Sequence, residues 1–201
     1  MKVMKIKTGI VETNTYFIYN DDNECIVVDP GDDKSAIINT LNENSLTCKY
    51  VLLTHCHFDH CNSALFLKEF GAKIFVHKKE MALVRSNDNL AVKFGIAFNR
   101  FVPDENVKDG DVLELCGLKV EVMHTPGHTA GSCCYIIDNF LFSGDTLMRL
   151  SCGRTDFPTG NGREMAKSLQ RIVNLEKNYT VFPGHNSPTT IEFERKNNPY
   201  V

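Results

Sequence analysis

No stretch of the 201-residue chain stays apolar for long enough to cross a membrane, which takes about 18 or more such residues. The N-terminal run MKVMKIKTGIVETNTYFIYNDD has a basic start but no uninterrupted apolar core. A signal peptide is therefore not expected, and the expected address is cytoplasmic, without a membrane partner. There is no excess of one charge either. The 22 Lys and Arg stand against 25 Asp and Glu, a formal net charge of −3, so a broad electrostatic hold on nucleic acid or acidic lipid is not expected. The eight cysteines, at 25, 48, 56, 61, 116, 133, 134 and 152, contain no C-x-x-C pair, which removes the support for a zinc ribbon or a thioredoxin-like dithiol. Without an export signal they are expected to be mostly free, buried thiols acting as small hydrophobes. Low-complexity tracts, long linkers and breaks in composition are missing as well.

What is present is a globular balance, 42% hydrophobic and 23% charged, long enough to bury one core. A single domain over residues 1–201 is the expectation. Short apolar runs predict strands over Val3–Ile6, Thr15–Tyr19, Cys25–Val28, Tyr50–Leu53, Lys73–Val76, Val112–Leu115, Leu118–Val122, Cys133–Ile137, Phe140–Ser143 and Thr180–Phe182. Amphipathic stretches predict helices over Lys34–Leu41, Ser63–Phe70, Lys78–Val84 and Glu164–Leu175, with a short one around Ile191–Arg195. Residues Arg85–Asp111 read as a helix followed by a loop. Two blocks of strands, each followed by helices, make an α/β arrangement of layers.

The residues richest in chemistry form the run Thr54-His55-Cys56-His57-Phe58-Asp59-His60, directly after the strand-like Tyr50–Leu53. His55 and His57 lie two apart in extended backbone, project to one side and can share an ion. Asp59 and His60 follow the turn and can address a second ion beside the first. Three further sites sit after expected strands: His128 in Thr125-Pro126-Gly127-His128-Thr129, Asp145 in Ser143-Gly144-Asp145-Thr146, and His185 in Pro183-Gly184-His185-Asn186. Strand-end loops are where α/β folds place their sites. His77 and His124 lack ligand partners in sequence and read as ordinary surface or loop histidines. Cys56 and Cys61 flank the ligand run; oxidation sensitivity is expected of them rather than metal ligation.

This pattern resembles the metallo-β-lactamase superfamily, whose signature is T-H-x-H-x-D-H followed by a His, an Asp and a last His. Val28-Asp29-Pro30-Gly31 matches a further motif of that family. The resemblance implies an αββα sandwich of two mixed β-sheets with helices on both outer faces and a two-metal site at one edge. By the same resemblance His55, His57 and His128 would hold the first metal, Asp59, His60 and His185 the second, and Asp145 would bridge them. Asp29 would orient a ligand imidazole through a hydrogen bond. The metals would be two divalent ions, zinc above all, with iron or manganese as alternatives. Two cations about 3.5–4 Å apart make hydroxide available near neutrality and stabilise the oxyanion or leaving group, with Asp59, His60 and Asp145 at the reacting centre.

Within the superfamily, Cys152-Gly153-Arg154-Thr155-Asp156-Phe157-Pro158 and the ending Thr189-Thr190-Ile191, Glu194-Arg195, Asn198-Pro199-Tyr200 resemble short bacterial proteins related to hydroxyacylglutathione hydrolase (glyoxalase II). The implied activity is hydrolysis of an S-acyl thioester, S-lactoylglutathione for example, by a metal-bridging hydroxide. The implied partner is a small-molecule thioester, with glutathione as the candidate carrier, and the expected assembly is a monomer or small homo-oligomer. Arg154 holds the place of a residue that contacts glutathione in that group; a salt bridge to Asp156 is the competing reading for it. Only 16 residues follow His185, where full-length glyoxalase II continues into a helical domain, so a weaker or different grip on the tripeptide is expected. The Cys-Gly-Arg-Thr-Asp-Phe segment is also similar to persulfide dioxygenases, which implies a single iron held by two histidines and an aspartate as the alternative.

Overall fold

Side chains alternate between two faces along a strand, and here both faces are apolar, so each sheet must be covered twice. In the computed structural model, which describes residues 1–201, this requirement is met by stacking two sheets between helices. The first sheet begins as an antiparallel meander of β1 (Lys2–Thr8), β2 (Thr13–Tyr19) and β3 (Glu24–Val28). It continues in parallel through β4 (Thr47–Leu52), β5 (Lys73–His77) and β6 (Glu105–Val107). Parallel neighbours need crossovers. These carry α1 (Lys34–Glu43), the one-turn α2 (Phe58–Cys61), α3 (Ala64–Glu69) and α4 (Met81–Arg85).

The second sheet has the order β12-β11-β10-β9-β8-β7. Its strands are β7 (Val112–Leu115), β8 (Leu118–His124), β9 (Cys133–Ile137), β10 (Phe140–Gly144), β11 (Thr180–Pro183) and β12 (Thr189–Thr190). α5 (Gly162–Val173) crosses between the parallel pair β10 and β11, and α6 (Ile191–Asn197) follows β12. Phe17, Val27, Val51 and Ile74 face the α1–α4 layer. Their neighbours Tyr16, Ile18, Ile26, Leu52 and Phe75 meet Val120, Tyr135 and Phe142 of the other sheet. Beyond that sheet, Met123, Leu141 and Val181 pack on Met165, Leu169 and Ile172 of α5. The result is the expected αββα sandwich of two mixed sheets.

Direction of travel places the site. β8 and β10 are each antiparallel to β9, and β11 is parallel to β10, so β8, β10 and β11 all end at one edge. β4 ends there too. Cys133 N–H donates to Thr54 O at 2.9 Å and Tyr135 Oη–H to Leu53 O at 2.9 Å, while Tyr16 Oη–H donates to Pro183 O at 2.6 Å. These bonds lock the two sheets together just behind the strand ends.

Several expectations for local structure are corrected. Strands β6 and β12 were not legible, since a three-residue and a two-residue edge strand hold too few side chains to show a period. The expected helix over Lys78–Val84 divides into a 3-10 turn, Lys78–Glu80, and α4. Arg85–Asp111 is not a helix followed by a loop; it holds the end of α4, a 3-10 turn at Val92–Phe94 and β6. All eight cysteines are free, six of them buried. No helix is long and apolar enough to cross a membrane.

Candidate metal centre

β4 delivers the His55–His60 run to the sheet edge, and Asp29 fixes its shape. Asp29 follows β3 with a positive φ of 50°, and its buried carboxylate accepts from Thr54 N–H (2.8 Å) and Thr54 Oγ1–H (2.6 Å). The same carboxylate takes the Nδ1–H of His60 at 2.9 Å. That contact sets the tautomer and leaves His60 Nε2 facing the site. His128, on the turn after β8, is set in the same way: its Nδ1–H donates to Arg154 O at 2.7 Å.

The seven residues singled out by the sequence come together in three overlapping groups whose donor atoms lie within 4.8 Å of one another: His55/His57/His128, His55/His60/Asp145 and Asp59/His60/His185. Asp145 lies between the two halves, with Oδ1 at 3.5 Å from His60 Nε2 and Oδ2 at 3.5 Å from His128 Nε2. His185 Nε2 is 3.4 Å from Asp59 Oδ2 and 3.7 Å from Asp145 Oδ2. His57 Nδ1 and His128 Nε2 face each other at 2.9 Å.

Electrostatics divides the cluster. Burial, with repulsion from the neighbouring imidazoles, holds His55 well below the ordinary imidazole value and His57 at about 3. Burial lowers His128 as well. In the other half burial opposes charging of His60, but Asp59, Asp145 and Asp29 outweigh it and hold its pKa well above the usual value. For Asp59 burial favours the neutral acid, and the charge of His60 with hydrogen bonds from His185 and His60 overcomes it, leaving a carboxylate.

Whether this set suits a cation can be judged from the donors alone. His55 Nε2, His57 Nε2 and Asp145 Oδ1 are buried without a hydrogen-bond partner, a costly state for polar atoms in a closed core. Neutral imidazoles and ionised carboxylates are the forms that ligate divalent metals. His55, His57 and His128 are held neutral and Asp59 ionised, and on His60 a cation would take the place of the Nε2 proton that the carboxylates hold. The residues fit a divalent metal.

Two supporting residues escaped the sequence reading. Thr13 Oγ1–H donates to Asp59 Oδ2 at 2.7 Å across 46 residues. Glu80, fully buried, accepts from Cys56 N–H (2.8 Å), Thr129 Oγ1–H (2.8 Å) and Gly131 N–H (2.7 Å), tying the first histidine loop to the loop of His128. Neither has a local signal, since their partners are distant in the chain.

Arg154 lines the cavity above the cluster. Its guanidinium makes the competing contact, a fork to Asp156 at 2.7 and 2.6 Å, and lies 4.0 Å from the Phe157 ring centroid. His77 and His124 stay outside the ligand groups, but His77 is no surface histidine: it is buried at the end of β5 with its ring stacked on that of His124, centroids 4.2 Å apart. Cys56 and Cys61 point into the core behind the site and join no ligand group. Burial raises the Cys56 thiol well above its ordinary pKa, which opposes the oxidation expected of it.

The metallo-beta-lactamase superfamily model matches residues 8–185. The chain is 33% identical to hydroxyacylglutathione hydrolase GloC of Haemophilus influenzae, an alignment covering 100% of this chain and 98% of that one. Among solved structures it is similar to BLEG-1 B3 metallo-beta-lactamase, with a TM-score of 0.92, 33% identity and 99% of both chains covered. It is also similar to TTHA1623 in a di-iron-bound form, with a TM-score of 0.89, 29% identity and 98% of this chain and 100% of that one covered.

Proposed function

The chain belongs to the metallo-beta-lactamase superfamily, and from that premise we propose that it is a binuclear hydrolase of small S-acyl thioesters. The observation that carries this reading is one cluster of seven His and Asp donors in three overlapping groups, with Asp145 3.5 Å from both His60 and His128. In this reading His55, His57 and His128 would hold one ion, Asp59, His60 and His185 the other, and Asp145 would serve both. Full-length similarity to a hydroxyacylglutathione hydrolase supports the thioester as substrate. The working unit is a single domain over residues 1–201, cytoplasmic, acting as a monomer or small homo-oligomer.

Two cations held there, zinc in this proposal and iron or manganese as substitutes, would supply Lewis acidity toward water and a carbonyl. The chain's own part is preorganisation. Asp29 holds the proton on His60 Nδ1 and Arg154 O holds the proton on His128 Nδ1, so both Nε2 lone pairs stay aimed at the site. Thr13 holds one oxygen of Asp59. Arg154, at the cavity mouth, presents a cation to the thiol-bearing arm of an anionic thioester and keeps its own position through Asp156 and the Phe157 ring.

The test is metal content per chain, by elemental analysis of protein purified without added metal or chelator, together with thiol release from S-lactoylglutathione. Close to two equivalents with thiol release support the proposal. One equivalent of iron, with oxygen uptake on glutathione persulfide and no thiol release from the thioester, replaces it with the single-iron dioxygenase. Turnover of a cephalosporin alone would replace it with β-lactam hydrolysis, the activity named for the BLEG-1 structure.

A further inference from the structure

The cavity over the ligand cluster has a volume of about 240 Å³, below the roughly 300 Å³ at which sites for drug-sized ligands begin. Outside the cluster its side chains are Val11, Phe58, Leu90, Phe94, Met148, Phe157 and Arg154, with Gly153 contributing backbone. No hydroxyl or amide side chain is among them. The one charged group, Arg154, is engaged with Asp156, and the Gly153 N–H already donates to Asp145 O at 2.7 Å.

The apolar part of this wall is built onto the ligand loop. Phe58 follows His57 directly, and its N–H donates to Asn89 O at 3.0 Å, which draws the 87–96 segment against the site. Phe58 then clusters with Leu90, Ala91, Ile96 and Phe157. Phe94 packs against Phe58 with the rings tilted at 38° and their centroids 5.3 Å apart, yet remains 42% exposed at the cavity mouth. An aromatic ring left open beside a site is surface that a bound apolar group would cover.

We propose that the acyl arm of the substrate is a short aliphatic chain without a polar group beyond the carbon next to the carbonyl, seated against Phe58, Leu90 and Phe94. The proposal rests on the thioester reading above, in which the thiol arm leaves past Arg154. Water is split across the acyl C–S bond: its oxygen forms the new C–O bond, the C–S bond breaks, and the products are an aliphatic carboxylate and a free thiol, one proton of the water going to the thiol and the other to solvent. A hydroxyl farther along the acyl chain is disfavoured, because it would exchange water for a wall without side-chain partners; one beside the carbonyl would lie at the cluster, where Asp59, Asp145 and His185 line the same cavity.

The experiment uses the full-length, metal-loaded protein and one thiol, glutathione, carrying acetyl, butanoyl, 3-hydroxybutanoyl or hexanoyl groups. In parallel, calorimetry measures binding of the matching free carboxylates, which needs no turnover. The expected result is a kcat/KM and an affinity that each rise about fourfold per added methylene, with butanoyl preferred over 3-hydroxybutanoyl about tenfold. Phe94→Ala should flatten both slopes, and Phe94→Leu should largely restore them. 3-Hydroxybutanoyl at or above butanoyl, or slopes unchanged by Phe94→Ala, would overturn the proposal. If no thioester is cleaved, the thioester reading has failed by itself. The carboxylate data then still decide the wall: a chain-length slope that Phe94→Ala removes upholds it, and a flat wild-type slope overturns it.

Discussion

At the residue scale the ligand cluster is held by groups that never touch the cavity, and Glu80 is the clearest case. Its three accepted hydrogen bonds join the backbone of Cys56 to the loop of His128. Glu80→Ala would leave those buried donors unpaired, and a loss of about 2–4 kcal/mol in urea unfolding is expected. Burial raises the Glu80 pKa, with its hydrogen bonds only partly offsetting the effect. The stability tied to its proton is therefore full below the ordinary glutamate value and is lost as pH rises through the raised one. The difference in stability between wild type and Glu80→Gln should accordingly shrink as pH rises from about 4 to 7. His57→Ala and Asp145→Ala are expected to reduce metal content and lower turnover by at least about a thousandfold, with circular dichroism unchanged; near-wild-type turnover in either would sink the shared-cluster mechanism. Arg154→Ala should raise KM for anionic thioesters about tenfold and leave neutral ones little changed, whereas an equal loss on both would make the Asp156 pair purely structural. The seven ligand candidates and Asp29 were legible because each lies in a short motif at a strand end. Thr13 and Glu80 were not, because nothing within a few residues of either marks its distant partner.

At the scale of elements, the turns after β8, β10 and β11 bring single residues to a common point. The turn after β11 works only with glycine at 184: a Cβ there would overlap Asp145 Oδ1 and approach His60 Cε1 at 2.6 Å. Gly184→Ala is expected to displace Asp145, and elemental analysis should find the variant depleted in metal while its secondary structure stays intact. Helix α5 is a different matter, since its start depends on Asn161, whose side chain accepts from Arg163 N–H and Glu164 N–H at 3.0 and 3.1 Å. Loss of this cap in Asn161→Ala should cost about 1 kcal/mol in urea unfolding, with no change in metal content. The expected core strands and the long helices were found within a few residues of their observed ends, because apolar periodicity reports burial. It fails for β6, where only Val107 of three residues is buried, and for the one-turn α2, which is shorter than any period it could display.

At the scale of the molecule, the site stands where two sheets meet, and its neutral imidazole half and its charged half are pressed together by the packing around them. Metal binding relieves the buried unpartnered atoms His55 Nε2, His57 Nε2 and Asp145 Oδ1 only in the folded state. Chelation is therefore expected to lower Tm by several degrees, with recovery on readdition of metal; an unchanged Tm in a chain shown to have lost its ions would mean that the cluster is stable by itself. The sequence alone determined the family, the alternation of strands and helices, and the identity of the ligand candidates, because metal ligation demands particular side chains and the motifs put them at strand ends. Only the tertiary structure decided that Asp145 lies between His60 and His128, that Glu80 and Thr13 brace the cluster, that Arg154 pairs with Asp156, and that the cavity wall beyond the cluster is apolar. Each of these is a contact between residues distant in the chain, created by the packing of the two sheets, and no local pattern carries it.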